Sequence, residues 1–150
     1  MQEAKDEFNR LFVGPNSLPA PLWESVYLGK EHGLFEEQTL QVRKCYREYG
    51  LVFVRENNSP EDHIVVELEF VSYLIQQTLE SNDEKYTRRL IKDQITFFTD
   101  HMAKWCLQFC DMLSKASAMP LYDGTARLLR EYIELETESV IMLKEAIESE

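Results

Sequence analysis

The 150-residue chain carries 27 acidic residues against 16 Lys and Arg, a formal net charge of -11, and is 44% hydrophobic. That length and apolar fraction support one domain with a substantial core and argue against disorder, while the acidic balance excludes the basic footprint a nucleic-acid surface needs and favours basic peptide or protein partners. With no run of transmembrane length, no signal-peptide pattern in Met1–Glu7 and an odd count of three cysteines, the chain reads as a cytoplasmic protein without stable membrane insertion.

In chain order, Ala4, Phe8, Leu11 and Phe12 fall on one side of a short helix that Gly14 and Pro15 end. Residues 14 to 29 read as a long apolar loop, with Leu18, Leu22, Trp23, Val26 and Tyr27 among three prolines that prevent helix. Two readings stand: a functional loop, or Trp23 and Tyr27 as a lid on the core. A helix follows over 38–49, with Leu40, Val42, Cys45, Tyr46 and Tyr49 as its less polar positions and Gly50 at its end; Leu51–Val54 is an extended connection and Arg55–Asn58 a polar turn.

The next helix has the cleanest punctuation. Ser59 serves as N-cap, Pro60 takes the first helical position and Asp62 completes a capping box. Ile64, Leu68, Val71, Ile75 and Leu79 form its apolar stripe, with His63 and Glu67 four apart at the border between core and solvent. A second strong pattern spans 84–116, with Ile91, Phe98, Met102, Trp105, Phe109, Met112, Leu113 and Ala116 on one face and His101 at its edge. At about 1.5 Å per residue it approaches 50 Å, so a bend or a break near one end is expected. Asp123 then caps a final helix over 124–148, whose stripe is Leu128, Leu129, Tyr132, Ile133, Val140, Leu143 and Ile147, with Glu136 among them. The fold class is all-α: a single-domain bundle over residues 1–150 with a long proline-containing loop near its start.

Asp62, His63 and Glu67 have the residue types of a general acid/base cluster, although the capping box already accounts for Asp62. His101 reads as a partly buried histidine bonded to a neighbouring helix, and Glu136 as a carboxylate needing a Tyr, Arg or His partner. Cys106 and Cys110, four apart without a second pair, are small apolar filler rather than zinc ligands. Glycine-rich phosphate loops, Gly-x-Ser-x-Gly elbows and His-Glu-x-x-His motifs are absent from the sequence. No catalytic residue, cofactor or metal is therefore assigned, and a binding surface is expected before an active site.

Phe8-Asn9-Arg10-Leu11-Phe12-Val13-Gly14-Pro15, then Pro21-Leu22-Trp23-Glu24-Ser25-Val26-Tyr27, then Pro60-Glu61-Asp62-His63 with Glu67-Leu68, and the spaced Phe98, His101 and Trp105, together resemble the TorD/DmsD/NarJ family of cytoplasmic chaperones. The resemblance implies an all-helical protein that is not an enzyme. It implies a partner: the twin-arginine leader, or the apo catalytic subunit, of a molybdenum-containing oxidoreductase. By position it implies a peptide-binding surface of Leu11, Phe12, Pro21, Trp23, Ser25, Tyr27, Asp62, His63 and Glu67, with the carboxylates of Asp62 and Glu67 facing the leader's arginines. Family members usually carry further helices before the segment matching Phe8. Their lack implies a truncated chain, a shortened member or a homodimer, domain-swapped in one version. The competing readings are a hydrolase or nucleotide-processing protein using Asp62, His63 and Glu67, and a general helical adaptor.

Overall fold

The computed structural model describes residues 2–15, 17–54 and 59–149. Every regular element among them is helical: α1 (Gln2–Phe12), α2 (Glu24–Leu28), α3 (Glu37–Glu48), α4 (Ile64–Glu80), α5 (Glu84–Phe97), a π-turn (Phe98–Met102), α6 (Ala103–Ala116) and α7 (Pro120–Glu148). The polar turn expected at Arg55–Asn58 lies outside the described residues.

Helix ends follow local chemistry. Gly14 after α1 and Gly50 after α3 take left-handed backbone, φ 93° and 69°, which glycine adopts without penalty. Asp83 caps α5 by accepting from the Tyr86 N–H at 2.9 Å. Helix α7 starts earlier than its expected Asp123 cap, because Pro120 is a better first helical residue; Asp123 sits in the first turn and pairs with Arg127 at 2.8 Å.

The core stripe of α4 is rotated from the expected one. Ile64, Glu67, Phe70, Val71 and Leu74 are buried, whereas Ile75 is 36% and Leu79 81% exposed. The difference is aromatic: Phe70 fills the space between Tyr46 of α3 and Phe97 of α5, with ring centroids 4.8 and 4.7 Å away.

The expected 84–116 helix is interrupted in its middle rather than bent or broken near an end. Phe98, Met102, Cys106 and Cys110 are all buried at a spacing of four, which an unbroken 3.6-residue helix carries steadily off one face. The wider turn at Phe98–Met102 takes up that drift and keeps both halves aimed inward. Cys45, Cys106 and Cys110 are free thiols. Glu136 is half-buried and accepts from Gln94 Nε2 at 3.2 Å, an amide where a Tyr, Arg or His was expected.

The rotated stripe gives a direct check in urea unfolding. Leu74→Ala should cost about 2–5 kcal/mol, while Leu79→Ala should stay within about 0.5 kcal/mol; equal effects would restore the stripe read from periodicity.

Candidate functional site

The loop over 14–29 is not wholly irregular. Its prolines stop at Pro21, and Glu24–Leu28 forms the single-turn helix α2. Just before it, Leu22–Glu24 runs antiparallel to Asp62–Ile64: the Glu24 N–H donates to Asp62 O and the Ile64 N–H to Leu22 O, both at 2.9 Å, making a bridge between Trp23 and His63. The two rings meet edge to face, with centroids 5.3 Å apart.

This pairing overturns the capping box. With residues 62–64 extended, α4 begins at Ile64, and His63 is its cap, its Nδ1 accepting from the Val65 N–H at 3.2 Å. Asp62 is fully buried and points the other way. Its two oxygens accept from the Ser25 N–H and the Thr39 hydroxyl, each at 2.7 Å, joining α2 to α3. Glu61 beside it is buried too and takes a two-pronged bond from Arg43 at 2.8 and 3.0 Å.

Glu67 is likewise not at the border with solvent. It is fully buried, and its Oε2 accepts from Trp105 Nε1 at 3.1 Å. Beside it, Glu24 of α2 meets His101 of the π-turn, with oxygens 2.9 and 3.1 Å from Nδ1. His101 is thus bonded to another helix as the sequence suggested, but Glu24 as its partner was not foreseen. The available signal was a single acid at Glu24 within the apolar run Leu22–Tyr27.

The electrostatics follow from this burial. Desolvation and the charge of Glu24 hold the Glu67 carboxyl well above its ordinary range. As a carboxylate its Oε1 has no partner; protonated, it can donate to Glu24. Burial opposes charge on His101, but bonds from Cys45 and Glu24 and the charges of Glu24 and Glu67 outweigh it and lift the imidazole to about 10. His63, by contrast, is pushed down by burial against a smaller pull from Asp62.

Of the nine residues expected to bind peptide, the structure brings together Pro21, Trp23, Ser25, Asp62 and His63. Tyr27 and Glu67 lie beneath them against Trp105: the Tyr27 ring is 5.2 Å from that indole, and its hydroxyl bonds Pro21 O at 2.7 Å. Leu11 and Phe12 join another neighbourhood. Phe12 packs on Tyr122 of α7 at 5.9 Å, and α1 is tied to the α6–α7 junction by Arg10 to Ala116 O and by Ser117 to Glu7. Leu11, Ser25, Tyr27, Asp62 and Glu67 are buried, while Pro21, Trp23, His63 and Phe12 keep partial exposure. Asp62, His63 and Glu67 do not converge on a shared acid/base centre, since each is bonded to a different partner.

Raising the folded-state pKa of His101 above its ordinary 6.5 stabilises the fold fully below that pH and progressively less towards about 10. Between those limits wild-type unfolding free energy should fall with pH, and His101→Gln should flatten that part of the curve. An unchanged slope in the variant would mean His101 is neutral in the folded chain.

A family model described as nitrate reductase delta subunit matches residues 1–111. Among curated proteins, the chain is similar to the probable Tat proofreading chaperone DmsD of Haemophilus influenzae, 32% identical over 85% of this chain and 57% of the relative. It is also similar to the Tat proofreading chaperone DmsD of Salmonella typhi, 31% identical over 82% of this chain and 55% of the relative. The chaperone protein TorD of Photobacterium profundum is 30% identical over 89% and 62%. The chain spans little more than half the length of these curated relatives. The match across residues 1–111, with DmsD and TorD chaperones aligned along most of the chain, places it: it belongs to the nitrate reductase delta subunit family, the TorD/DmsD/NarJ group that its motifs resemble.

Proposed function

We propose that this chain is a cytoplasmic, single-domain maturation chaperone. It binds the twin-arginine leader or N-terminal segment of a molybdenum-containing oxidoreductase subunit until the cofactor is loaded, and it catalyses no reaction of its own. The observation that carries this reading is the similarity to Tat proofreading chaperones along 82% and 85% of the chain. No described helix is long and apolar enough to cross a membrane. In support, Pro21, Trp23 and His63 present an apolar and aromatic edge held by a main-chain bridge, suited to a leader's hydrophobic stretch. The acid excess attracts its arginines.

Within that surface we divide the labour. Pro21, Trp23 and His63 touch the peptide, with the half-buried Phe12 extending the contact at α1 and the fully buried Leu11 supporting it from within. Ser25, Tyr27, Asp62 and Glu67 act from below by fixing α2 and the bridge. Exchange of α1, tied to the α6–α7 junction by polar bonds and by Phe12 on Tyr122, offers the route to a domain-swapped homodimer.

Titration with synthetic twin-arginine leaders tests the reading. Emission from half-buried Trp23 should change saturably, while Trp105, fully buried, contributes a constant background. Trp23→Ala should weaken binding by at least about tenfold, ~1.4 kcal/mol, with unfolding nearly unchanged. Asp62→Ala should instead destabilise by about 1–3 kcal/mol, because it strands the Ser25 N–H and the Thr39 hydroxyl. Absence of saturable binding to every leader, with the fold intact, would reject the chaperone reading; indifference to replacing the paired arginines would make the chain a general helical adaptor.

A further inference from the structure

Helix α7 buries Tyr122, Ala126, Ile133 and Val140 against its neighbours, chiefly α6. Its other side carries a second apolar row. Leu121 is 57%, Leu128 70%, Leu135 64% and Met142 70% exposed. Successive members stand seven apart, a spacing that drifts only about 20° per step on a straight helix. The row therefore runs as one stripe for about 32 Å. Large exposed apolar side chains repeated in register along one helix face mark a contact face rather than ordinary scatter. Three residues beyond the row's second, third and fourth members come Glu131, Glu138 and Glu145, all exposed, so an acidic rail follows the stripe along one flank.

We propose that this face of α7 docks a cationic amphipathic helix from a partner protein. The partner's apolar stripe lies on Leu121, Leu128, Leu135 and Met142, and its Lys or Arg residues face Glu131, Glu138 and Glu145. Charge decides the occupant. A second copy laid antiparallel brings Glu131 towards Glu138, so that self-pairing sets acid against acid along the seam. A basic helix meets opposite charge throughout and is drawn in by the net charge of -11. The inference stands apart from leader binding at Trp23.

The probe is a synthetic helix of leucine–lysine heptads, compared with its leucine–glutamate counterpart. The lysine peptide should bind one-to-one and at least about tenfold more tightly than the glutamate peptide. L128E/L135E should remove at least that factor with the circular dichroism unchanged, E131K/E138K should reverse the preference, and Leu79→Glu on exposed α4 surface should do neither. Equal binding of both peptides, or indifference to L128E/L135E, would overturn the proposal. A Leu135→Cys variant of the natural polypeptide identifies the occupant: rapid maleimide labelling, slowed by the lysine peptide, is expected. Protection that grows with protein concentration would assign the row to a second copy, and protection independent of concentration would assign it to the chain itself; either result overturns the partner-helix proposal.

Discussion

The fold around Trp23 depends on one constraint: an acid buried in an apolar interior must have a partner or give up its charge. Glu24 arrives there on a single turn of helix too short to be stable alone. It is held by His101 from the π-turn, while its own N–H is held by Asp62 O. Asp62 in turn fixes Ser25 and reaches Thr39 on α3. Two buried acids, Glu24 and Asp62, thus connect α2, α3, the segment entering α4 and the π-turn, and the loop carrying Trp23 has a fixed position without regular structure of its own.

This arrangement separates contact from support. The acids that the family resemblance set against an incoming arginine are spent inside: Asp62 on a backbone N–H and a hydroxyl, Glu67 on an indole N–H. On the proposed chaperone reading, attraction of a basic client would rest on the acidic surface as a whole, and local recognition on half-buried rings. A surface so built holds its shape before binding, and that lowers the ordering cost of complex formation.

Much of this was legible in the residues, for identifiable reasons. Gly14 and Gly50 announced their helix ends because left-handed backbone selects glycine, and the 3.6-residue pattern gave α3 nearly to its ends, the outer limits of the α5–α6 pair and the C-terminal end of α7. His101 betrayed its burial by sitting between Phe97 and Trp105. What misled was local chemistry with two outlets. Ser59-Pro60-Glu61-Asp62 has the composition of a helix start, but the same segment gains more by pairing with Leu22–Glu24, a contact 40 residues away that no local pattern encodes. The α4 stripe was misjudged because Glu67 counted as polar, although tertiary partners make it a core residue. Leu11 and Phe12 are near Trp23 in sequence yet pack at the α6–α7 junction, since the three prolines between them allow the chain to change direction.

The π-turn at Phe98–Met102 makes chain length, rather than residue identity, the guarded quantity in the middle of the bundle. One residue fewer there would restore a regular helix with α6 close to its present phase, because the wide turn already absorbs one extra residue, whereas one residue more would turn α6 by about 100° relative to α5, swinging Trp105 and Phe109 out of the interior and taking the indole N–H away from Glu67. Side-chain replacements at the same positions leave that phase intact. Drift in composition is therefore tolerable at the exposed positions of this helix pair, whereas a single-codon insertion within it is not.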